Sequence, residues 1–165
     1  PFSIRYPRGQ GVMPEWRTPL EKIAVGKGRK VSEGKDVAIL TIGHPGNFAV
    51  EAIGTLSQEN LVPAHYDLRF VKPLDAELLH EVFTRFDKVI TVEDGALMGG
   101  FGSAVLEFMV DHDYQAKVER LGVPDRFLDH GTQQELWAEC GYDAKAIVQK
   151  VREMMGVKAP VKVEL

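Results

Sequence analysis

Apolar runs alternate with segments of helical periodicity along most of this chain. Residues 36–42 form a nearly continuous apolar run, as expected of a strand covered on both faces. Gly43–Asn47 breaks this run, and apolar residues then recur at helical spacing from Phe48 to Leu56. The alternation continues, with strands predicted at 64–70, 88–93 and 116–122, and helices from Asp75 through Phe83, Ser103 to about His112, Thr132 through Trp137, and about Asp143 to Met155.

The first twenty residues have a different character, because four prolines interrupt them. Residues 2–6 predict a short strand that is already under way at the first residue, so we expect the chain to be a piece of a longer one. A Val/Ile-rich pattern then predicts a strand at Ile23–Val25 and a turn at 32–34. We therefore predict a connecting arm at 1–19, a folded domain at 20–156 and a tail at 157–165.

Strands that alternate with helices predict a parallel sheet with helices on both faces. The expected fold is a three-layer α/β/α sandwich with a mostly parallel sheet of about five strands. Ligands of such sheets gather beyond the carboxyl ends of the strands. The loops at 43–47, 70–73, 94–102 and 123–131 are therefore the places to look for a site.

Composition narrows the class of protein. The 165 residues are 44% hydrophobic and 27% charged, which is typical of one ordinary globular domain. The net charge of −4 argues against nucleic acid as a partner. The sequence has no apolar run near the roughly 18 residues that cross a bilayer, which argues against a membrane partner. One cysteine fits a reducing compartment, so we expect a cytoplasmic location.

Arg8 is the first candidate for binding. It stands in Arg5-Tyr6-Pro7-Arg8-Gly9, where proline fixes the backbone before it and glycine allows close approach behind it. A guanidinium held in this way could bind a phosphate through two donors. The alternative is that both arginines form weak surface ion pairs.

A glycine-rich loop between a strand and a helix is the second candidate, with Gly99, Gly100, Gly102 and Ser103 as its central residues. Free N–H groups at a helix start could bind an anion. The spacing matches neither the dinucleotide fingerprint nor a phosphate-binding P-loop. The glycines could equally serve a tight turn and a close contact with a neighbouring chain, which we favour.

The remaining reactive side chains do not form a catalytic set. His130 could move a proton, but a histidine before a helix is commonly structural, and no nucleophile is implied beside it. The other four histidines lack metal-ligand spacing. Cys140, near the end of a predicted helix, is expected to be packed rather than nucleophilic. We predict no catalytic residue and no metal site in these 165 residues.

Several segments together resemble one enzyme family. The chain is similar over residues 1 to about 155 to the C-terminal domain of 1-deoxy-D-xylulose-5-phosphate synthases, which are transketolase-like transferases. The resemblance is carried, in this order, by Arg5–Gly9, Thr18–Lys22, Asp67–Asp75, Val92–Ser103, Gly122–Phe127 and His130–Leu136.

The resemblance implies a chemistry that lies mostly outside this chain. Such synthases join pyruvate to glyceraldehyde 3-phosphate with loss of carbon dioxide, and the product feeds isoprenoid, thiamine and pyridoxal phosphate synthesis. They use thiamine diphosphate held through Mg²⁺. The family's phosphate-gripping arginine corresponds to Arg8, not Arg5. The Gly-Asp-Gly cofactor motif and the activating glutamate belong to domains absent here, so no cofactor is expected in this piece and it should be inactive alone.

The resemblance also implies partners. The third domain of these enzymes packs on the preceding domains, the nearer of which binds the cofactor's pyrimidine, and on the second subunit of a homodimer. Two alternatives stay open: the equivalent domain of a transketolase or oxoacid dehydrogenase beta subunit, and a free-standing regulatory or interaction module that binds an anionic metabolite at the glycine-rich loop. Fold alone does not separate them.

Overall fold

The computed structural model describes residues 11–12, 19 and 21–157. Within them lie five strands and five helices, whose order follows the predicted alternation of strand and helix. The strands are β1 (Arg29–Ser32), β2 (Ala38–Ile42), β3 (Ala64–Asp67), β4 (Lys88–Ala96) and β5 (Lys117–Val123). The helices are α1 (Pro45–Ser57), α2 (Ala76–Arg85), α3 (Phe101–Asp111), α4 (Gln133–Cys140) and α5 (Ala144–Met155).

The five strands form one sheet in the order β1-β3-β2-β4-β5. Only β1 runs antiparallel to its neighbour, and the pairs β2–β3, β2–β4 and β4–β5 are parallel. The central strand β2 is buried from Ala38 to Thr41, which explains its continuous apolar run. The predicted mostly parallel, five-stranded sheet is confirmed.

Each face of the sheet carries its own apolar core. On one face, Ile39 and Ile90 pack with residues of α1 and α5, including Leu56 and Ile147. On the other face, Leu40 and Tyr66 pack with α2 and α3. The two helical layers with the sheet between them are the three-layer α/β/α sandwich that the sequence predicted.

Three helices begin at polar N-cap side chains, which lie where the sequence predicted the helix starts. The Asp75 carboxylate accepts a hydrogen bond from the Leu78 N–H at 3.2 Å. Thr132 and Glu135 form a complete capping box at the start of α4. The Asp143 carboxylate accepts the Ala146 N–H at 2.8 Å at the start of α5. Such caps typically contribute about 1 kcal/mol each.

The first strand is not where the sequence predicted it. Ile23 and Val25 are exposed and non-strand, and the strand begins at Arg29. The chain turns at Gly26, whose φ is +74° and whose Cα lies so close to Pro73 that a Cβ would be 2.8 Å from its ring. The strand at Ile23–Val25 was therefore wrong, and the expected strand at residues 2–6 lies outside the described residues.

Strand β1 lies at an edge of the sheet and carries charge. Lys30 forms ion pairs with Glu33 and Glu81, and Arg85 of α2 pairs with the same two carboxylates. These contacts keep the pKa values of Glu33 and Glu81 below their ordinary range, mainly through hydrogen bonds from Lys30. The network connects β1 to the helix that covers the neighbouring strand.

His65 on β3 is a buried histidine with an incomplete set of partners. Its side chain is 2% exposed, and Nε2 lies 2.8 Å from the Thr41 hydroxyl. The Nδ1 atom has no partner among the described residues. Burial lowers the pKa of His65 from its ordinary value of 6.5 to about 4, against a smaller opposing effect of Asp67.

We expect His65 to make stability depend on pH. Above pH 6.5 the ring is neutral in both the folded and the unfolded chain. As the pH falls from 6.5 towards 4, only the unfolded chain takes up the proton, so the free energy of unfolding should fall by up to about 1.4 kcal/mol per pH unit. Urea unfolding between pH 7 and 5 measures this slope.

The control for this prediction is His65→Gln. Other groups, including His44, whose pKa burial also lowers, contribute equally to both proteins. The slope of the parent should therefore exceed that of the variant across the same pH range. Identical slopes would contradict the assignment to His65.

Candidate functional site

A cavity opens at the carboxyl ends of the parallel strands. Its volume is about 650 Å³. It is bounded by the loop after β2, by Val71 after β3, and by the end of β4 with the loop that follows. Three of the four loops that the sequence singled out therefore meet at one place. The lining residues are Ile42, Gly43, His44, Val71, Glu93, Asp94, Gly95, Ala96, Met98, Gly99, Gly100 and Phe101.

The loop from Leu97 to Gly100 needs glycine for two different reasons. Gly99 has a φ of +71°, a left-handed conformation that other residues adopt at a cost. Gly100 lies against the backbone, where a Cβ would collide with the Ala96 carbonyl oxygen and the Glu93 carboxylate. These constraints explain the glycine-rich sequence without any external ligand.

The Glu93 carboxylate sits on the N-terminus of α3. Its two oxygens accept hydrogen bonds from the Phe101 N–H at 2.7 Å and the Gly102 N–H at 2.8 Å. The side chain is almost fully buried, with Glu93 only 4% exposed. The chain's own carboxylate therefore takes two of the donors that an anion would need at this helix start.

Ser103 and Arg120 hold the rest of the loop. The Ser103 hydroxyl donates to the Leu97 carbonyl at 3.0 Å and accepts from the Gly99 N–H at 3.1 Å. The Arg120 guanidinium, on β5, donates to the same carbonyl at 2.7 Å and to the Ser103 hydroxyl at 2.9 Å. Ser103 thus acts inside the protein as a loop brace.

Asp94, Tyr142 and His44 form a polar group at the rim of the cavity. The Tyr142 hydroxyl donates to Asp94 Oδ1 at 2.8 Å, and Asp94 Oδ2 lies 3.5 Å from His44 Nδ1. The pKa of Tyr142 is raised, mainly by burial and secondly by the hydrogen bond to Asp94, so the proton stays on the phenol. Asp94 is 43% exposed and keeps access to solvent.

His44 is packed between the cavity and the aromatic side chains behind it. Its ring centroid lies 5.5 Å from that of Phe48 and 5.3 Å from that of Trp137. Burial lowers the pKa of His44, with Asp94 opposing the shift, which favours the neutral ring at neutral pH. Among the described residues nothing pairs with its Nε2.

The structure separates the sequence candidates. Gly99 and Gly100 line the cavity, whereas Gly102 and Ser103 lie behind it and organise α3. His130 is exposed and lies outside the cavity. Cys140 packs beside the core on the α1 face, and burial raises the pKa of its thiol. The roles suggested for Gly99–Ser103 remain predictions, and Arg8 lies outside the described residues.

Sequence reasoning missed the acidic pair Glu93 and Asp94 as site residues. Both belong to the glycine-rich segment, in which the glycines, and not the carboxylates, suggested a site. An acidic residue at the end of a strand, next to a glycine-rich helix start, is a signal that could have suggested an internal cap. Tyr142 is 48 residues from Asp94, and no local pattern connects the two.

Comparison with protein families places the fold. The model of the transketolase C-terminal domain matches residues 26–147, which is most of the chain. The chain belongs to the transketolase C-terminal domain family. Its matched region runs from the turn before β1 into α5, so it contains the whole sheet and the cavity.

The chain is also similar to family members over nearly its full length. It is 65% identical over 157 residues to a Cytophaga hutchinsonii protein named 1-deoxy-D-xylulose-5-phosphate synthase. It is 53% identical over 152 residues to the protein of that name from Bacteroides thetaiotaomicron. The matches cover 95% and 92% of this chain but only 25% and 24% of the relatives. The chain spans about a quarter of their length.

Solved structures of the family share the fold. A split-gene transketolase, described as an inactive tetramer of four beta subunits, has a TM-score of 0.76 at 33% identity. The match covers 84% of this chain and 45% of that one. A Campylobacter jejuni transketolase has a TM-score of 0.58 at 14% identity, over 83% of this chain and 20% of that one. The second likeness supports the fold alone.

The described residues do not fit thiamine diphosphate and its metal ion. Within 11–12, 19 and 21–157, no group of three His, Cys, Asp or Glu side chains could hold a metal. The N–H groups of Phe101 and Gly102, which could have bound a diphosphate, donate to Glu93 instead.

In the same part of the chain, no helix combines the length and apolar character needed to cross a bilayer.

Proposed function

We propose that this chain is the C-terminal portion of a 1-deoxy-D-xylulose-5-phosphate synthase. The whole enzyme would join pyruvate to glyceraldehyde 3-phosphate with release of carbon dioxide, in the cytoplasm. The observation that carries the proposal is the 65% identity to a relative of that name over 95% of the chain. The split-gene transketolase, at 33% identity, is less similar, which favours a synthase over a transketolase.

In this proposal the chain supplies a docking surface and a substrate arginine, and other domains bind thiamine diphosphate and Mg²⁺. Three apolar side chains support the docking role because they are exposed at the carboxyl end of the sheet. Val71 is 42% exposed, Met98 69% and Phe127 fully. Exposed apolar groups clustered at one end of a sheet are typical of an interaction surface. We assign this surface, at the carboxyl ends of the strands, to contact with the preceding domains or with the second subunit of a homodimer.

The contacts of Glu93 argue against the alternative of a regulatory module that binds an anionic metabolite at the glycine-rich loop. A module that senses an anionic metabolite at α3 needs free N–H groups there, and two of them are bound to the chain's own carboxylate. An entering anion would also meet the Glu93 and Asp94 carboxylates.

The proposal is tested by comparing two proteins, the full-length gene product and the 165-residue chain. With thiamine diphosphate, Mg²⁺, pyruvate and glyceraldehyde 3-phosphate, the full-length protein should form 1-deoxy-D-xylulose 5-phosphate and carbon dioxide. The 165-residue chain should form neither. A full-length protein that transfers two-carbon units between sugar phosphates instead would identify a transketolase and overturn the proposal.

We expect Arg8→Ala in the full-length enzyme to impair use of the phosphorylated aldehyde. Loss of a charge-assisted, two-donor contact should weaken transition-state binding by about 2 kcal/mol. This corresponds to a roughly thirtyfold lower kcat/KM for glyceraldehyde 3-phosphate. Steady-state kinetics with the aldehyde varied measures this effect. Arg5→Ala is the matched control and should leave kcat/KM nearly unchanged. Equal losses in pyruvate decarboxylation without the aldehyde would indicate a folding defect and count against the assignment.

A further inference from the structure

The turn after β3 holds an arginine in a strained backbone conformation. Arg69 has a φ of +56°, in the left-handed region that side chains other than asparagine and aspartate rarely adopt. The Phe70 N–H donates to the Leu68 carbonyl and closes a three-residue turn around it. Glycine would take this conformation at little cost. Strain of this kind clusters at functional positions, where the side chain has a use that offsets the strain.

The charge of Arg69 is incompletely neutralised by the part of the chain that the structure describes. Its one ionic neighbour there is Asp67, whose Oδ2 lies 3.9 Å from the Arg69 Nε, too far for a hydrogen bond. The same oxygen accepts a hydrogen bond from Arg29 Nε at 3.1 Å. The other Asp67 oxygen accepts the Arg69 backbone N–H at 3.2 Å, which helps to fix the turn. Two guanidinium groups therefore share one carboxylate, and one positive charge is left over at the end of β3.

Arg69 adjoins the surface at the carboxyl ends of the strands. Its side chain is 28% exposed, and Val71, two residues further on, is an exposed apolar residue of that surface. Lys72, the next residue, is exposed as well and adds positive charge. A partly buried arginine next to exposed apolar groups is typical of the contacts that contribute most of the binding free energy at interfaces. The complementary partner surface carries a carboxylate flanked by apolar side chains.

The small size of this surface favours a partner that is covalently tethered. Three exposed apolar side chains and one arginine make a small contact beside the roughly 1,200 Å² or more that a stable interface between separate chains buries. A domain of the same polypeptide is held at a high effective concentration, so a smaller contact suffices. The match to the Cytophaga hutchinsonii relative covers only 25% of that protein, which leaves ample further chain to supply such a domain.

We propose that Arg69 pairs with a carboxylate on the preceding domains of the same polypeptide and anchors the carboxyl end of the sheet to them. The pairing rests on the proposed function in requiring that such domains precede this chain. It goes beyond that function by naming the residue that carries the contact, the chemistry of its partner and the polypeptide to which the partner belongs.

Hydrogen exchange in the full-length gene product and in the 165-residue chain tests the contact. The Met98 and Gly99 amides, in an exposed loop of the same surface, should exchange about tenfold more slowly in the full-length protein, because the preceding domains cover them. Arg69→Ala should remove most of this protection. In the 165-residue chain it should shift the melting midpoint by less than about 2 °C. The matched control is Arg85→Ala, which removes an arginine paired with Glu33 and Glu81 and should keep the protection.

Zero-length carbodiimide cross-linking identifies the partner group. Arg69→Lys puts an amine at this position, and a carbodiimide joins an amine to a carboxylate in contact with it. Mass spectrometry of the full-length protein should show a link from position 69 to an Asp or Glu that precedes this chain in the same polypeptide. A link to Asp67 or Glu15 alone would show that the charge is paired within this chain and overturns the proposal. Links that join isotope-labelled to unlabelled subunits would assign the contact to a second copy and overturn it as well.

The exchange experiment has its own contrary results. Equal protection in the full-length parent and in Arg69→Ala overturns the anchor, and so does an equal loss of stability in the full-length protein and in the 165-residue chain. Neither readout depends on turnover. A full-length protein that shows the cross-link but forms no 1-deoxy-D-xylulose 5-phosphate would count against the proposed synthase alone, and an active synthase without the link would count against the Arg69 contact alone.

Discussion

Replacing Glu93 with alanine is expected to lower the free energy of unfolding by about 3 kcal/mol. The substitution leaves the buried N–H groups of Phe101 and Gly102 without an acceptor and removes a negative charge from the N-terminus of α3. It also leaves a void where a side chain only 4% exposed had packed. Urea unfolding followed by circular dichroism measures the change.

Two further variants separate the capping role from general effects. Glu93→Gln keeps the shape but loses the charge and one acceptor oxygen, so its loss should be smaller, about 1–2 kcal/mol. Glu107→Ala removes an exposed glutamate from the same helix and should change stability by less than about 0.5 kcal/mol. Equal losses at positions 93 and 107 would contradict the internal cap.

Gly100→Ala should cost about as much, near 3 kcal/mol, for a different reason. The new Cβ would collide with the Ala96 carbonyl oxygen and the Glu93 carboxylate, and the first of these is backbone that cannot rotate away. The loop must shift, and the hydrogen bonds from α3 to Glu93 should lengthen with it. Chemical denaturation measures the loss, and amide hydrogen exchange at Phe101 and Gly102 should become faster.

Gly54→Ala is the control for this substitution. Gly54 lies within α1, and a Cβ there would meet nothing within 4 Å. Alanine should therefore stabilise the protein by about 0.5–1 kcal/mol, as expected for a helix interior. The two changes add the same atom with opposite expected signs. A neutral Gly100→Ala would show that the loop is not packed as described.

Much of the fold could be predicted because its determinants are local. The apolar run of β2 and the caps at Asp75, Thr132 and Asp143 are each readable within a few residues. The exception is β1, which has the polar sequence Arg-Lys-Val-Ser and pairs antiparallel at the edge. A half-exposed edge strand lacks a continuous apolar run. The strand was therefore predicted at the more hydrophobic Ile23–Val25 instead.

The site was less predictable because its contacts cross the sequence. Glycine content drew attention to the loop after β4, but the N–H groups of Phe101 and Gly102 at the start of α3 donate to a carboxylate eight or nine residues earlier. That distance is bridged only when the end of β4 folds back over the helix start. The bond between Tyr142 and Asp94 depends on how α5 and its preceding turn pack against the sheet. Neither contact has a fixed spacing that a sequence pattern could show.

The charged character of β1 has a consequence for how the protein associates with other chains. An exposed strand at the border of a sheet offers unpaired backbone groups to any passing polypeptide, which is a route to aggregation. Arg29 and Lys30 sit on that border, and Lys30 is already committed to Glu33 and Glu81. A strand added there would bring its own side chains against these cations and their partners. These charges at the border thus discourage the addition of a further strand to the sheet.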